Sequence, residues 1–169
     1  MARSILSMYS FDEKAEDTST GNVLRQSIHL ISCLSTIAAY SYQAKRSHFH
    51  NQSLHLHYPL PELSTAENIL RLIRPMGEYT DLEARLLDIS LILHAEHGGG
   101  NNSTFTTHLV SSTGTDTYSA ISAAVGSLKG PKHGGANLAV IHMMRDLKEN
   151  VADITNFKEV ENYLRSVIR

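Results

Sequence analysis

The stretch TDLEARLLDISLILHAEHGGGNN, residues 80–102, decides the architecture of this chain. Thr80 and Glu83 stand three apart, the spacing of a capping box: the Thr80 hydroxyl accepts from the Glu83 amide while the carboxylate reaches back to the amide of Thr80. Behind that start, Leu82, Leu86, Ile89 and Leu93 recur at helical steps, and Leu87, Leu91 and Ile92 widen the arc. After Asp88 the segment is apolar nearly all round, so it is expected to be among the most buried elements. It is expected to end at His97, where the glycines at 98–100 supply a left-handed turn. Asn102 or Ser103 is expected to cap the next helix, Thr104 to Ser112.

Working outward, the same grammar repeats. Ser64-Thr-Ala-Glu67 is a second capping box, followed by Ile69, Leu70 and Ile73 and stopped by Pro75-Met-Gly77. Upstream, Leu24, Ile28, Ile31, Leu34 or Ser35, and Ala38 form a helical stripe over about 23–42. The residues between them are small, so this helix should be buried on more than one side or pack on a partner. Lys45 to Leu63, with Pro59 and Pro61, is expected to break it, and Met1 to Gly21 reads as a short helical or irregular lead followed by a loop. Downstream, a small-residue helix over Thr117–Leu128 stops at Gly130-Pro131. Another runs from about Gly135 to Asn150 with Val140, Ile141, Met144 and Leu147 inward. Thr155 is expected to cap a last one, with Phe157, Val160, Leu164 and Val167 on one face. No stretch reads as a strand, and the fold class is all-α.

Composition narrows the function. The chain has 169 residues, 41% of them hydrophobic, enough for a real core. Lys plus Arg number 15 against 17 Asp plus Glu, so there is no basic excess to neutralise a phosphate backbone, and a nucleic-acid partner is not expected. No apolar run reaches the roughly 18–20 residues that span a bilayer, and no signal peptide follows Arg3, so a cytoplasmic location away from membranes is expected. Cys33 is the single cysteine, which excludes an intramolecular disulfide and a Cys-rich zinc site; it reads as a small buried hydrophobe.

The 10 histidines are the ionisable excess, and they cluster. His48, His50, His55 and His57 make two His-x-His pairs, which in an extended chain would present both imidazoles of a pair on one side, as for Zn²⁺ or Cu²⁺. No carboxylate or cysteine joins them nearby, so a solvated loop is the preferred reading and no metal is expected. His94-Ala-Glu-His97 places two histidines one turn apart at a helix end, before Gly98-Gly-Gly-Asn101-Asn-Ser103. Gly130-Pro-Lys132-His133-Gly-Gly places His133 at or just before a helix N-terminus. Free amides and the positive dipole end there favour an anionic ligand and a neutral imidazole, which is a hydrogen-bond donor rather than a charged clamp.

Those two histidine motifs, with Thr107-His-Leu-Val-Ser-Ser112 between them and Tyr58-Pro through Ala66-Glu-Asn68 upstream, resemble the citrate synthase family. The resemblance implies that His97 contacts oxaloacetate, that Asn101 and Ser103 shape its pocket, and that Lys132 lies beside the acetyl-coenzyme A path. It implies that His133 hydrogen-bonds the thioester oxygen as the acetyl methyl is deprotonated. It implies no resident cofactor, acetyl-coenzyme A being a substrate, and a homodimer formed through the helical layer.

The family's second catalytic histidine, its aspartate base and its carboxylate-binding arginines belong further downstream than Arg169. The chain is therefore expected to be an internal piece, inactive alone. Residues 1–134 would be most of the large, dimer-forming domain and 135–169 the opening helices of the small one. 2-Methylcitrate synthase, with a propionyl donor, stays open, as does a non-catalytic helical module that dimerises or binds a dicarboxylate.

Overall fold

The computed structural model describes residues 1–96 and 98–167, which form eight helices and no strand. They are α1 (Ala2–Tyr9), α2 (Thr20–His50), α3 (Thr65–Ile73), α4 (Asp81–His94), α5 (Asn102–Ser111), α6 (Thr117–Leu128), α7 (Gly135–Asn150) and α8 (Phe157–Val167). The chain divides into two compact units, Met1–Gly126 and Ser127–Arg169.

Both capping boxes form. Ser64 and Thr80 accept from the amides of Glu67 and Glu83, and each glutamate reaches back to the N-cap amide. Glu83 does a second job: its carboxylate accepts from Arg74 at 2.6 and 3.0 Å, bracing the α3–α4 turn, where Gly77 takes a φ of +70°. Arg74 first and the Thr80 donors second hold the Glu83 carboxyl down to about 2.

The first unit is built on α2. It runs six residues beyond the expected break at Lys45, because Lys, Gln, Ala and Arg are good helix formers. It stops at Asn51, whose φ of 52° is left-handed. Its packed face takes only part of the apolar stripe: Asn22, Gln26, Leu30, Ala39 and Gln43 are buried and Leu34 packs on the core, while Leu24, Ile28 and Ile31 are exposed, Ile31 at 71%. Gln43 donates to the Leu72 carbonyl of α3 at 3.0 Å, and α3 packs in turn on α4. At the other end, Ile5, Ala15, Leu30 and Tyr118 form a core cluster, with Met8, Leu34, Ile121 and Val125 against it.

That cluster is tied together by a carboxylate. Asp12 accepts from the Tyr118 hydroxyl at 2.7 Å, from Arg25 at 2.7 and 2.8 Å and from Gln26 at 3.2 Å. Gln26, wholly buried, also donates to the Lys14 carbonyl and accepts from Thr117. The lead is thereby a short helix and a loop sewn to α2 and α6.

Burial of the other expected core faces is corrected. No residue of α4 is buried; Leu82 and Leu93 are 67% and 73% exposed. The apolar arc is real but only partly covered: Leu87 and Leu91 are half-buried, while Leu86, Ile89 and Ile92 stay exposed. In the second unit, α7 and α8 pack together and only Leu147 of α7 is buried, with Val140, Ile141 and Met144 exposed. Asn156, rather than Thr155, caps α8: its Oδ1 accepts from the amides of Lys158 and Glu159, while Thr155 donates to Asp153.

The Tyr118 hydroxyl, then Arg25, hold the Asp12 carboxyl well below the usual carboxylate range. A depressed folded-state pKa adds stability that is complete above about pH 4 and is lost as pH falls further. Tyr118→Phe should therefore lower the urea midpoint at pH 7, and the gap between the two proteins should narrow as pH falls below about 4. Equal midpoints at pH 7, or a gap that stays the same below about pH 4, would contradict this role for Asp12.

Candidate active site

The turn that carries His133 lies between α6 and α7. Gly130 N–H donates to the Ser127 carbonyl at 3.2 Å, and the amides of His133 and Gly134 both donate to the Gly130 carbonyl, at 3.0 and 2.8 Å. Gly134 is the N-cap of α7, so half-buried His133 stands immediately before the helix start, as the sequence predicts, with Lys132 exposed beside it. A Cβ on Gly134 would lie 2.0 Å from the Leu128 carbonyl oxygen, so only glycine allows this closure. The sequence marks the glycine but not the carbonyl that demands it.

In the first unit, α4 ends at His94, whose Nδ1 lies 2.6 Å from the Ser90 carbonyl oxygen, three residues before the expected end. His97 lies outside the described residues. Gly98 takes a φ of +81°, and the Asn101 amide donates back to its carbonyl at 3.3 Å. Asn101 then caps α5: its Oδ1 accepts from the amides of Ser103 and Thr104 at 2.8 and 3.2 Å. The cap is therefore Asn101, not Asn102 or Ser103. The Ser103 hydroxyl donates to the Ala124 carbonyl of α6 at 3.0 Å, fastening α5 to α6. Asn101 and Ser103 thus share one helix turn, as Lys132 and His133 share another in the second unit.

The remaining candidates do other work. His48 and His50 fall on α2, where positions two apart point to different sides of the helix, so the expected shared side does not arise. His57 is structural: its Nε2 lies 3.2 and 3.0 Å from the carbonyl oxygens of Arg74 and Pro75, and its own carbonyl accepts from Tyr40. Among the described residues no three His, Cys, Asp or Glu side chains are grouped as a metal site. Cys33 is half-buried rather than buried, on the wall of a groove of about 730 Å³ that Met8, Phe11, Arg25 and Tyr40 also line. No described helix is long and apolar enough to cross a membrane.

An all-helical architecture with a glycine-rich turn carrying His133 before α7 has a counterpart among known proteins. The family model for the citrate synthase C-terminal domain matches residues 1–169, and the chain belongs to the citrate synthase family. It is 40% identical over 136 residues to a citrate synthase of Deinococcus radiodurans, covering 80% of this chain and 34% of that protein. To citrate synthase 1 of Mycobacterium tuberculosis it is 36% identical over 162 residues, 93% of this chain and 36% of the relative. A shorter match, 53% over 73 residues, joins it to 2-methylcitrate synthase 1 of Corynebacterium glutamicum, covering 42% of this chain and 19% of that protein. The chain spans about a third of the length of the citrate synthases it matches.

The two adjacent glycines of the His133 turn separate its steric demand from simple helix propensity. Gly134→Ala should displace the turn and lower the melting temperature, whereas Gly135→Ala, with nothing within 4 Å of the added Cβ, should be tolerated. Equal melting curves for the two variants would contradict the close approach to Leu128.

Proposed function

We propose that the polypeptide carrying this sequence condenses acetyl-coenzyme A with oxaloacetate, giving citrate and coenzyme A, and that His133 is a catalytic residue. The observation that carries this reading is the closed turn that sets His133 at the entrance to α7. As a base removes a methyl proton, the thioester oxygen gains the charge, and an imidazole N–H from His133 donates to it. The enol carbon then bonds to the ketone carbon of oxaloacetate, whose oxygen takes up a proton. Water cleaves the resulting thioester and releases coenzyme A. His97 contacts the dicarboxylate, Asn101 and Ser103 shape its pocket, and Lys132 lies along the coenzyme A path.

The base is not among these residues. Asp146 accepts from Tyr163 and Asn150, and Asp153 accepts from Thr155, whose hydrogen bonds hold its carboxyl below the usual range. Both carboxylates are already hydrogen-bonded, Asp146 within α7 and Asp153 in the linker before α8. The 169 residues alone are therefore inactive in this reading, with residues 1–134 in the large domain and 135–169 opening the small one. A cytoplasmic location and the absence of nucleic-acid or membrane partners complete it.

Removing one donor to a forming oxyanion costs about 10²–10³ in kcat. His133→Ala should lose at least that much in coenzyme A release by the natural polypeptide, with its melting temperature kept. Turnover by the isolated 169-residue chain would overturn the assignment of the base. The donor is decided by the same assay with acetyl- and propionyl-coenzyme A. The match to a 2-methylcitrate synthase supports testing the longer donor, and one methylene shifts pocket binding by only about 1–3 kcal/mol. No release with either donor would favour the non-catalytic module.

The same reading includes a homodimer. Leu82, Leu86, Ile89 and Leu93 on α4, with Leu24, Ile28 and Ile31 on α2, leave more apolar surface exposed than a lone chain keeps in water. An isologous contact between two copies would cover it. Ile89→Asp should give a monomer or an insoluble protein in size-exclusion chromatography with light scattering. An unchanged dimer would move the interface elsewhere.

A further inference from the structure

We infer that Asn101 is a positioning residue: it acts by capping α5 and so fixing Ser103, not by touching the substrate. The inference rests on the condensation reading above.

The backbone at this point is fully committed. The Asn101 amide donates to the Gly98 carbonyl, and its own carbonyl accepts from Phe105 at 2.9 Å to begin the helix ladder. Its φ and ψ of −71° and 128° are those of an N-cap, and its side-chain oxygen bridges two of the amides that a helix start leaves without intrahelical partners. One of those two amides belongs to Ser103.

Ser103 is thus held at its amide by Asn101 and at its hydroxyl by Ala124 of α6. Its carbonyl also accepts from the Thr107 hydroxyl, at 2.9 Å. These contacts hold its amide, its hydroxyl and its carbonyl. The Asn101 contact also joins Ser103 to the residue at which the chain leaves the Gly98–Gly100 turn. Without the cap, the first turn of α5 frays and the pocket wall moves with it.

A cap and a substrate contact demand different chemistry. A cap needs a short side-chain acceptor, which serine supplies about as well as asparagine, whereas alanine does not. A substrate contact through the carboxamide would be lost in both replacements. The test is Asn101→Ser and Asn101→Ala in the natural polypeptide, with melting temperature, kcat and the KM for oxaloacetate measured for each.

Capping predicts that Asn101→Ala melts about 2–4 °C lower and loses about tenfold in kcat/KM, and that Asn101→Ser recovers the melting temperature and at least about threefold of the lost kcat/KM. Serine rescue of activity separates the cap from a carboxamide contact with the substrate, which serine could not restore. The inference is overturned if both variants raise the KM for oxaloacetate alike at an unchanged melting temperature, or if Asn101→Ala melts as the wild type does. Should the wild type form no citrate, the condensation reading fails by itself, and the melting temperatures still decide whether Asn101 caps α5.

Discussion

One half-sheltered carboxylate organises the first unit. Asp12 lies where α1, α2 and α6 meet, in a place where a charge costs free energy unless hydrogen bonds replace the lost water. Tyr118, Arg25 and Gln26 supply them from two helices. The apolar cluster beside it, Ile5, Ala15, Leu30 and Tyr118, is small, and hydrophobic contact alone has no direction. The carboxylate adds direction, because its acceptor positions are met only when the lead, α2 and α6 stand in one arrangement. Gln26 extends the tie by donating to one side and accepting from Thr117 on the other. Directed polar contacts, together with Leu30 and Ala39, therefore set which face of α2 turns inward.

This is why burial was the least legible property in the sequence. Periodicity reports that a helix has an apolar side, and it does so correctly for Leu24, Ile28 and Ile31 and for Leu82, Leu86, Ile89 and Leu93. It does not report what covers that side. In the chain alone the covering element for α2 lies over its glutamines, and most of the α4 arc faces solvent. The proposed dimer reconciles the two faces: one packs within the protomer through directed hydrogen bonds, the other between protomers through apolar area. Local features were readable for the opposite reason. Each capping box is settled within four residues, so Ser64–Glu67 and Thr80–Glu83 form as their spacing demands, whatever packs around them.

The candidate site falls between these cases. The His133 turn was legible because Gly130-Pro, His133 and two glycines specify a helix start by local geometry. The reason Gly134 must be glycine was not, since it depends on the Leu128 carbonyl six residues back. At the other turn three capping residues stand in a row, Asn101, Asn102 and Ser103, and composition does not choose among them. The left-handed Gly98 chooses: it returns the chain so that the Asn101 amide meets the Gly98 carbonyl and the helix begins one residue later. The His-x-His reading failed at His48 and His50 because it assumed an extended chain, whereas Lys45 to His50 are residues a helix accepts readily.

The two helix starts differ in a way that bears on the chemistry. Both present amides and the positive end of a helix dipole, a field that favours an oxyanion. At α5 the side-chain oxygen of Asn101 already occupies two of those amides. At α7 the N-cap is Gly134, which has no side chain to offer, and no side-chain cap bond is made there. A helix start closed by its own residue stabilises the wall it belongs to. One capped by glycine has no side-chain acceptor of its own at that end. In the proposed condensation, the roles given to Asn101 at α5 and to His133 at α7 follow this difference between the two helix starts.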